Sequence, residues 1–383
     1  MTLQKNKGAV RRFARLLKFA AWLQALPRRT TPAPFQLLQI GSAFWQSRAL
    51  YVAARLDLAG ALGDVALPVD TLAARCAVAA DPLQRLLNLL AALGVFEQSA
   101  PGHFRNSAVS HFLREDHPQS MRAMVLMHNS PEMSLPWLES LEQGMRTGQP
   151  PFALQFGQEL FDYMDTHPDF DHLFSKAMDS VEALAGDSFA TDFDWGRFRR
   201  VIDVGGSAGS KARAILRRHP GLSALVQDRP AIIDKVLKTQ QNTAQNQTSE
   251  RMSFVGGDAL SEVPAAESAA DVYLLSALLH GFDDAHCERI LHAVRRGIGS
   301  TGATLVILEV VMPESGADLN TASFDMQMFI GTRGRERTLA QWQALLARSG
   351  LALQEQVHLQ SFAKMLVCAP LPQGVAAISP TVL

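Results

Sequence analysis

Little in this 383-residue chain points to a covalent or metal-built scaffold. It has three cysteines, Cys76, Cys287 and Cys368, far apart and without C-x-x-C spacing. That excludes a disulfide framework and a structural zinc site, and it suits the reducing cytoplasm, the expected compartment. Net charge is nearly absent, at −1, so no global field draws in nucleic acid or an acidic membrane. No uninterrupted apolar run approaches about 18 residues, and no integral membrane contact is expected. Acidic residues are missing from the first 29 positions, which carry Lys5, Lys7, Arg11, Arg12, Arg15, Lys18, Arg28 and Arg29. Arg15 and Lys18 interrupt any apolar signal core, so a secretory leader is disfavoured. Phe13, Leu16, Leu17, Ala20 and Leu23 share a helical face, which reads as an extension helix over residues 1–34, lying on the fold or partly disordered. A membrane-surface or partner helix is the alternative.

What is present is ordinary globular composition, 47% apolar and 19% charged, in a chain long enough for two domains. Pro27 to Pro34 reads as a linker in which proline stops any helix. Residues 35–115 carry short helical patterns, among them Ala49–Ala59 and a helix from Asp70 with that residue as its cap. A second helix runs from Asp81-Pro82 to Leu93, and a small hairpin over 94–106 follows it. This is a winged-helix order, but the second helix offers Arg85 as its one basic residue, so packing against a partner is expected and DNA binding is not. Residues 116–195 are helical and rich in Met and Phe, a connecting or substrate-lid region. From Arg199 onward, short apolar runs at 200–203, 223–227, 252–255, 271–276, 303–310 and 363–369 alternate with helical segments. That predicts a doubly wound α/β sheet ending near 371, with residues 372–383 as a tail.

The richest stretch is V-I-D-V-G-G-S-A-G-S, residues 201–210: a strand ending at Asp203, then Gly205, Gly206 and Gly209, then a helical pattern at once. Glycine at such a junction lets a nucleotide-like ligand lie against the backbone. Asp228, in V-Q-D-R-P, follows Gly209 by 19 residues at the end of the next run, where a carboxylate accepts ribose hydroxyls. His280 lies just past the run Val272-Tyr-Leu-Leu, and imidazole titrates near neutrality, as a general base requires. Glu309 is read as ending an apolar strand, where an unpaired charge is costly. Glu336 sits between Arg335 and Arg337, and a simple ion pair there is its plainest alternative role.

With these pieces in order, the chain resembles the class I S-adenosylmethionine-dependent O-methyltransferases shared by plant phenolic and bacterial natural-product enzymes. The resemblance runs from about residue 38 to 370. It rests on A-L-Y-V-A-A-R-L-D-L-A (49–59), R-L-L-N-L-L-A-A-L-G-V-F (85–96), F-S-K-A-M (174–178), the glycine turn, L-L-H-G-F-D-D-A-H-C-E-R-I-L (278–291) and G-R-E-R-T (334–338). It implies a Rossmann-like methyltransferase domain over 196–371, preceded by an all-α, winged-helix-like dimerisation domain, and a homodimer. It implies S-adenosylmethionine as cofactor, S-adenosylhomocysteine as product, and no metal. By the same resemblance Asp203, Gly205, Gly206, Gly209, Asp228, Asp258, Ala259, Ser276 and Phe282 bind the cofactor. His280 is the general base, and Glu309 and Glu336 orient it. Met124, Met127, His128, Phe174, Met178, Phe324 and Met328 line the pocket of an aromatic small-molecule acceptor with a phenolic or enolic hydroxyl, although Met and Phe stripes equally suit a core. The chain departs from the family at Ser207 (usually glycine), Lys211 (commonly leucine), Ser276 (lysine in plant members) and Gly281 (usually aspartate). A second reading therefore keeps the cofactor but performs hydroxylation, decarboxylation or a pericyclic step.

Overall fold

The computed structural model describes residues 2–241 and 249–371, and the predicted tail 372–383 lies outside the described residues. Trp22–Gly186 forms one compact unit, and the described residues on either side of it form the other.

The first unit is mostly helical. Its longest helix is Ala33–Arg55, and the capping expected of Asp70 is absent: the helix Val69–Cys76 starts after Pro68, with Asp70 in its first turn. A carboxylate in that turn still faces the positive end of the helix, so the residue type fits even though the cap does not. The second helix is Ala80–Ala92, and Leu83, Leu87 and Leu90 bury its apolar stripe. The hairpin pairs β2 (Phe96–Ala100) with β3 (His103–Asn106), and β1 (Leu67–Pro68) joins it along β3. Helix, helix and hairpin enclose a core that includes Leu58, Leu72, Phe96 and Phe104.

The predicted linker is the clearest correction at the N-terminus. Helix Lys7–Thr30 runs through Pro27, and only Thr31-Pro32 separates it from the next helix. Pro27 stands in the last turn, where its missing N–H costs a single bond and its carbonyl still accepts Thr31 N–H at 2.9 Å. The residues before this helix are pinned to the α/β unit. Leu3 N–H donates to Glu355 Oε2 at 2.8 Å, and Gln4 exchanges two 2.8 Å bonds with the backbone of His358.

The α/β unit is built on β4 (Arg200–Val204), β5 (Ser223–Asp228), β6 (Met252–Gly256), β7 (Asp271–Ser276), β8 (Thr304–Met312), β9 (Arg337–Thr338), β10 (Leu351–His358) and β11 (Ala363–Pro370). The strand order is β10-β11-β8-β7-β4-β5-β6, with β9 beside β8. Strands β4 to β8 pair in parallel, whereas β11 and β10 are antiparallel. All six expected strands are present, and the sequence reading lacked β10. That strand buries only Leu351 and Val357, leaves Gln354 and His358 exposed and has Gln and Glu among its half-buried positions, so it carries no continuous apolar run. In β4, Val201 enters one core cluster while Ile202 and Val204 enter another, so the strand is buried on both faces. Strand β4 has β5 on one side and β7 on the other. The order of connections reverses at this point, and the carboxyl ends of these strands open the crevice where such sheets take ligands.

Candidate active site

Two loops leave the sheet at that reversal. After β4 the chain turns through Gly205 (φ +73°), Ser207 (φ +49°) and Gly209 (φ +76°). A Cβ at Gly206 would lie 2.6 Å from the Asp203 carboxyl carbon, so the glycine there also makes room for Asp203, which is itself buried. Ser207, which replaces a glycine of the family pattern, takes the left-handed conformation glycine would have adopted. Its N–H donates to Asp228 Oδ2 at 2.8 Å, tying the turn to the end of β5. The other Asp228 oxygen accepts Arg229 N–H at 2.7 Å. Asp258 caps its own loop, accepting Leu260 N–H at 3.0 Å and the Ser261 hydroxyl at 2.9 Å. Ala259 and Phe282 pack partly buried on one core cluster, and Ser276 is the last residue of β7. Lys211, another of the departures, places its ammonium 5.2 Å from the centre of the Phe189 ring, an attraction that a leucine there would lack.

These residues fit a nucleoside cofactor. Two carboxylates, half-buried Asp228 and exposed Asp258, stand at the carboxyl ends of neighbouring strands beside a turn held in left-handed geometry. That donor set suits ribose hydroxyls, an amino-purine and a cationic sulfonium.

The second loop holds His280. After Ala277 (φ +48°) the chain makes a short 3-10 turn, Leu279–Gly281. His280 Nδ1–H donates to Glu336 Oε1 at 2.8 Å, and Glu309 Oε2 lies 3.5 Å from the same nitrogen. Glu309 is not at a strand end as expected, because β8 continues through it to Met312. Its charge is compensated by the loop that follows β7. Glu309 Oε1 accepts the amides of Leu278 (3.0 Å), Leu279 (2.9 Å) and His280 (3.4 Å). Glu336 stands just before β9, and the β8–β9 register (Val311 opposite Arg337) brings it beside the strand that carries Glu309. Its own N–H donates to Asp325 Oδ1 at 2.8 Å, and its Oε2 is buried without a hydrogen-bond partner among the described residues. The simple ion pair with Arg335 or Arg337 does not form; both arginines bond Asp284 instead.

The electrostatics follow from this enclosure. Burial alone would push the imidazole down, but the Glu309 charge and the hydrogen bond and charge of Glu336 outweigh it and push His280 up to about 9. Burial pushes the Glu309 carboxyl up as well. With Nδ1 committed to carboxylate, Nε2 is the ring nitrogen left to exchange a proton.

The expected pocket residues divide between the two units. Phe324, on helix Leu319–Gly331, places its ring 5.8 Å from that of His280, and Met328 is half-buried one turn further along the same helix. In the helical unit, Met124 and Met127 belong to a core cluster with Met133 and Phe152, and Phe174 packs against that cluster. His128 ends helix Arg122–His128, and Met178 is partly exposed on helix Pro168–Ala185. Sequence reasoning missed Gly334, Asp284 and the burial of Arg337. The signal was the charge-dense G-R-E-R-T segment facing Asp283-Asp284.

Residues 138–352 match the model of the O-methyltransferase domain, and residues 38–116 match that of the O-methyltransferase dimerisation domain. The chain is 32% identical over 335 residues to the phenazine O-methyltransferase PhzM of Lysobacter antibioticus, covering 88% of this chain and 96% of that protein. It is also 32% identical to a phenazine-1-carboxylate N-methyltransferase of Pseudomonas aeruginosa, covering 87% and 96%. The crystal structure of the O-methyltransferase NcsB1 from neocarzinostatin biosynthesis, in complex with S-adenosyl-L-homocysteine and 1,4-dihydroxy-2-naphthoic acid, superposes with a TM-score of 0.70. Sequence identity there is 28%, covering 85% of this chain and 96% of that one.

Proposed function

The chain belongs to the S-adenosylmethionine-dependent O-methyltransferase family, and from that membership we propose that it methylates a phenolic or enolic hydroxyl of an aromatic secondary metabolite with His280 as general base. The observation that carries the assignment is the 2.8 Å contact between His280 Nδ1 and Glu336, which leaves Nε2 as the base.

When bound, S-adenosylmethionine supplies an electrophilic methyl carbon on a sulfonium and leaves as S-adenosylhomocysteine. The residues that would hold it are Asp203, the turn at Gly205, Gly206 and Gly209, Asp228, Asp258, Ala259, Ser276 and Phe282. His280 Nε2 takes the acceptor proton as the oxygen attacks, and Glu336 and Glu309 stabilise the resulting imidazolium. Phe324 beside His280 offers an aromatic face to a flat acceptor ring. The other pocket positions in this reading are Met124, Met127, His128, Phe174, Met178 and Met328. Support for a planar aromatic acceptor comes from the naphthoic acid in the NcsB1 complex.

The working unit in this proposal is a homodimer. Helix Ala33–Arg55 exposes Phe35, Leu37, Leu38, Ile40, Phe44 and Trp45, and it enters the segment that matches the dimerisation domain. An apolar face of that size is costly to leave in water. The described residues include no helix long and apolar enough to cross a membrane.

The test is incubation with methyl-labelled S-adenosylmethionine and three acceptors: 1-hydroxyphenazine, 1,4-dihydroxy-2-naphthoic acid and phenazine-1-carboxylic acid. Label on oxygen that His280→Ala abolishes, with cofactor binding intact, is the expected result. Label on a ring nitrogen that survives His280→Ala would replace the hydroxyl reading with N-methylation, for which a ring nitrogen needs no base. An acceptor converted without label would support the second chemistry instead.

A further inference from the structure

Arg337 is fully buried, and its guanidinium grips the backbone of the His280 turn from behind. Nη1 donates to the Leu279 carbonyl at 3.1 Å and Nη2 to the Phe282 carbonyl at 3.0 Å, so the two bonds bracket His280 in sequence. Nε and Nη2 both donate to Asp284 Oδ1, at 3.1 and 2.8 Å, and Nη2 lies 3.4 Å from Cys287 Sγ. The guanidinium carbon lies 5.3 Å from the centre of the Trp342 ring. The neighbouring residue, Glu336, meets the imidazole itself, and three residues back the chain touches the same turn. A Cβ on Gly334 would come within 1.8 Å of the His280 carbonyl oxygen. One short segment therefore meets the His280 turn at three points: Gly334 against its backbone, Glu336 on its ring and Arg337 on its flanking carbonyls.

We infer that Arg337 is a positioning residue for the methyl-transfer reaction, fixing the His280 turn so that Nδ1 stays on Glu336 and Nε2 faces the acceptor. The inference rests on the reading of His280 as general base. A buried charge is expensive unless fully paired, and an apolar residue of similar size would leave the Leu279 carbonyl to Phe282 N–H and the Cys287 thiol and the Phe282 carbonyl to that weak thiol donor, with nothing bridging the two. Only the planar fork of arginine serves two carbonyls and a carboxylate at once; lysine brings the charge without the fork.

Arg337→Lys keeps the charge and therefore isolates geometry. Expected is a kcat lower by on the order of 10- to 100-fold with each acceptor that the labelled assay finds to be converted, and an unchanged KM for S-adenosylmethionine. The His280 imidazole resonance, followed by NMR in isotopically labelled protein, should titrate nearer to 6.5 than in the wild type, because its contact with Glu336 loosens. Asp284→Asn, at the half-exposed end of the same network, should shift both readouts in the same direction by less. It decides the matter where Arg337→Lys does not fold. Wild-type kcat and a wild-type His280 titration in a folded variant would overturn the inference. Failure of the base assignment is separate: it appears as activity retained by His280→Ala, whereas the NMR titration still reports whether Arg337 sets the ring.

Discussion

One oxygen of Glu309 accepts the backbone amides of Leu278, Leu279 and His280, and the other lies 3.5 Å from His280 Nδ1. A single buried carboxylate thus shapes the turn and faces the ring that the turn presents. Glu309→Gln keeps an amide oxygen for the backbone but removes the charge. Stability should fall by about 1–3 kcal/mol in thermal or urea unfolding, and kcat by on the order of 10- to 100-fold. The His280 pKa should fall too, since the Glu309 charge is the largest influence raising it. Unchanged unfolding and kcat would sink this account.

The pH dependence follows from the direction of the same shift. His280 must be neutral to accept a proton, and its folded value is pushed up to about 9 from 6.5. Activity of the free enzyme, measured as kcat/KM, should therefore climb through the alkaline range toward about 9. The stability linkage runs the other way. The cluster's charge pairing contributes fully below about 6.5 and is lost as pH rises through about 9. An activity inflection at or below 6.5 would contradict the ring's enclosure by two carboxylates.

Ser207 occupies a left-handed conformation at φ +49° while its N–H holds Asp228. Ser207→Gly keeps that bond and removes the Cβ penalty. It should stabilise the protein by about 0.5–1 kcal/mol, after allowing for the greater freedom of glycine in the unfolded chain. A calorimetric melting temperature reads this directly, and a lower value would show that the hydroxyl has a structural duty.

Ile40 is among the most exposed apolar side chains of helix Ala33–Arg55. If a second copy covers that face, Ile40→Glu places an unpaired charge inside the interface, at a cost of about 3–5 kcal/mol. Sedimentation velocity at micromolar concentration should then show a monomer where the wild type sediments as a dimer. A wild-type profile for the variant would remove this helix from the interface.

The amino-acid order alone determined the parallel strands and the glycine turn. Strands β4 and β7 carry apolar runs buried on both faces, and only glycine takes positive φ without strain, so both leave local signatures. The residues were legible singly: His280 as a histidine just past a strand, Glu309 as a charge in an apolar run, and Glu336 through the resemblance carried by G-R-E-R-T. Their association was not, because it depends on β8 pairing with both β7 and β9, contacts between segments far apart in sequence. The same reason hid Arg337. In sequence it is one charge in a charged pentapeptide, indistinguishable from a solvated arginine. Only the packed loops show that its guanidinium ends on the Leu279 and Phe282 carbonyls and so became part of the interior.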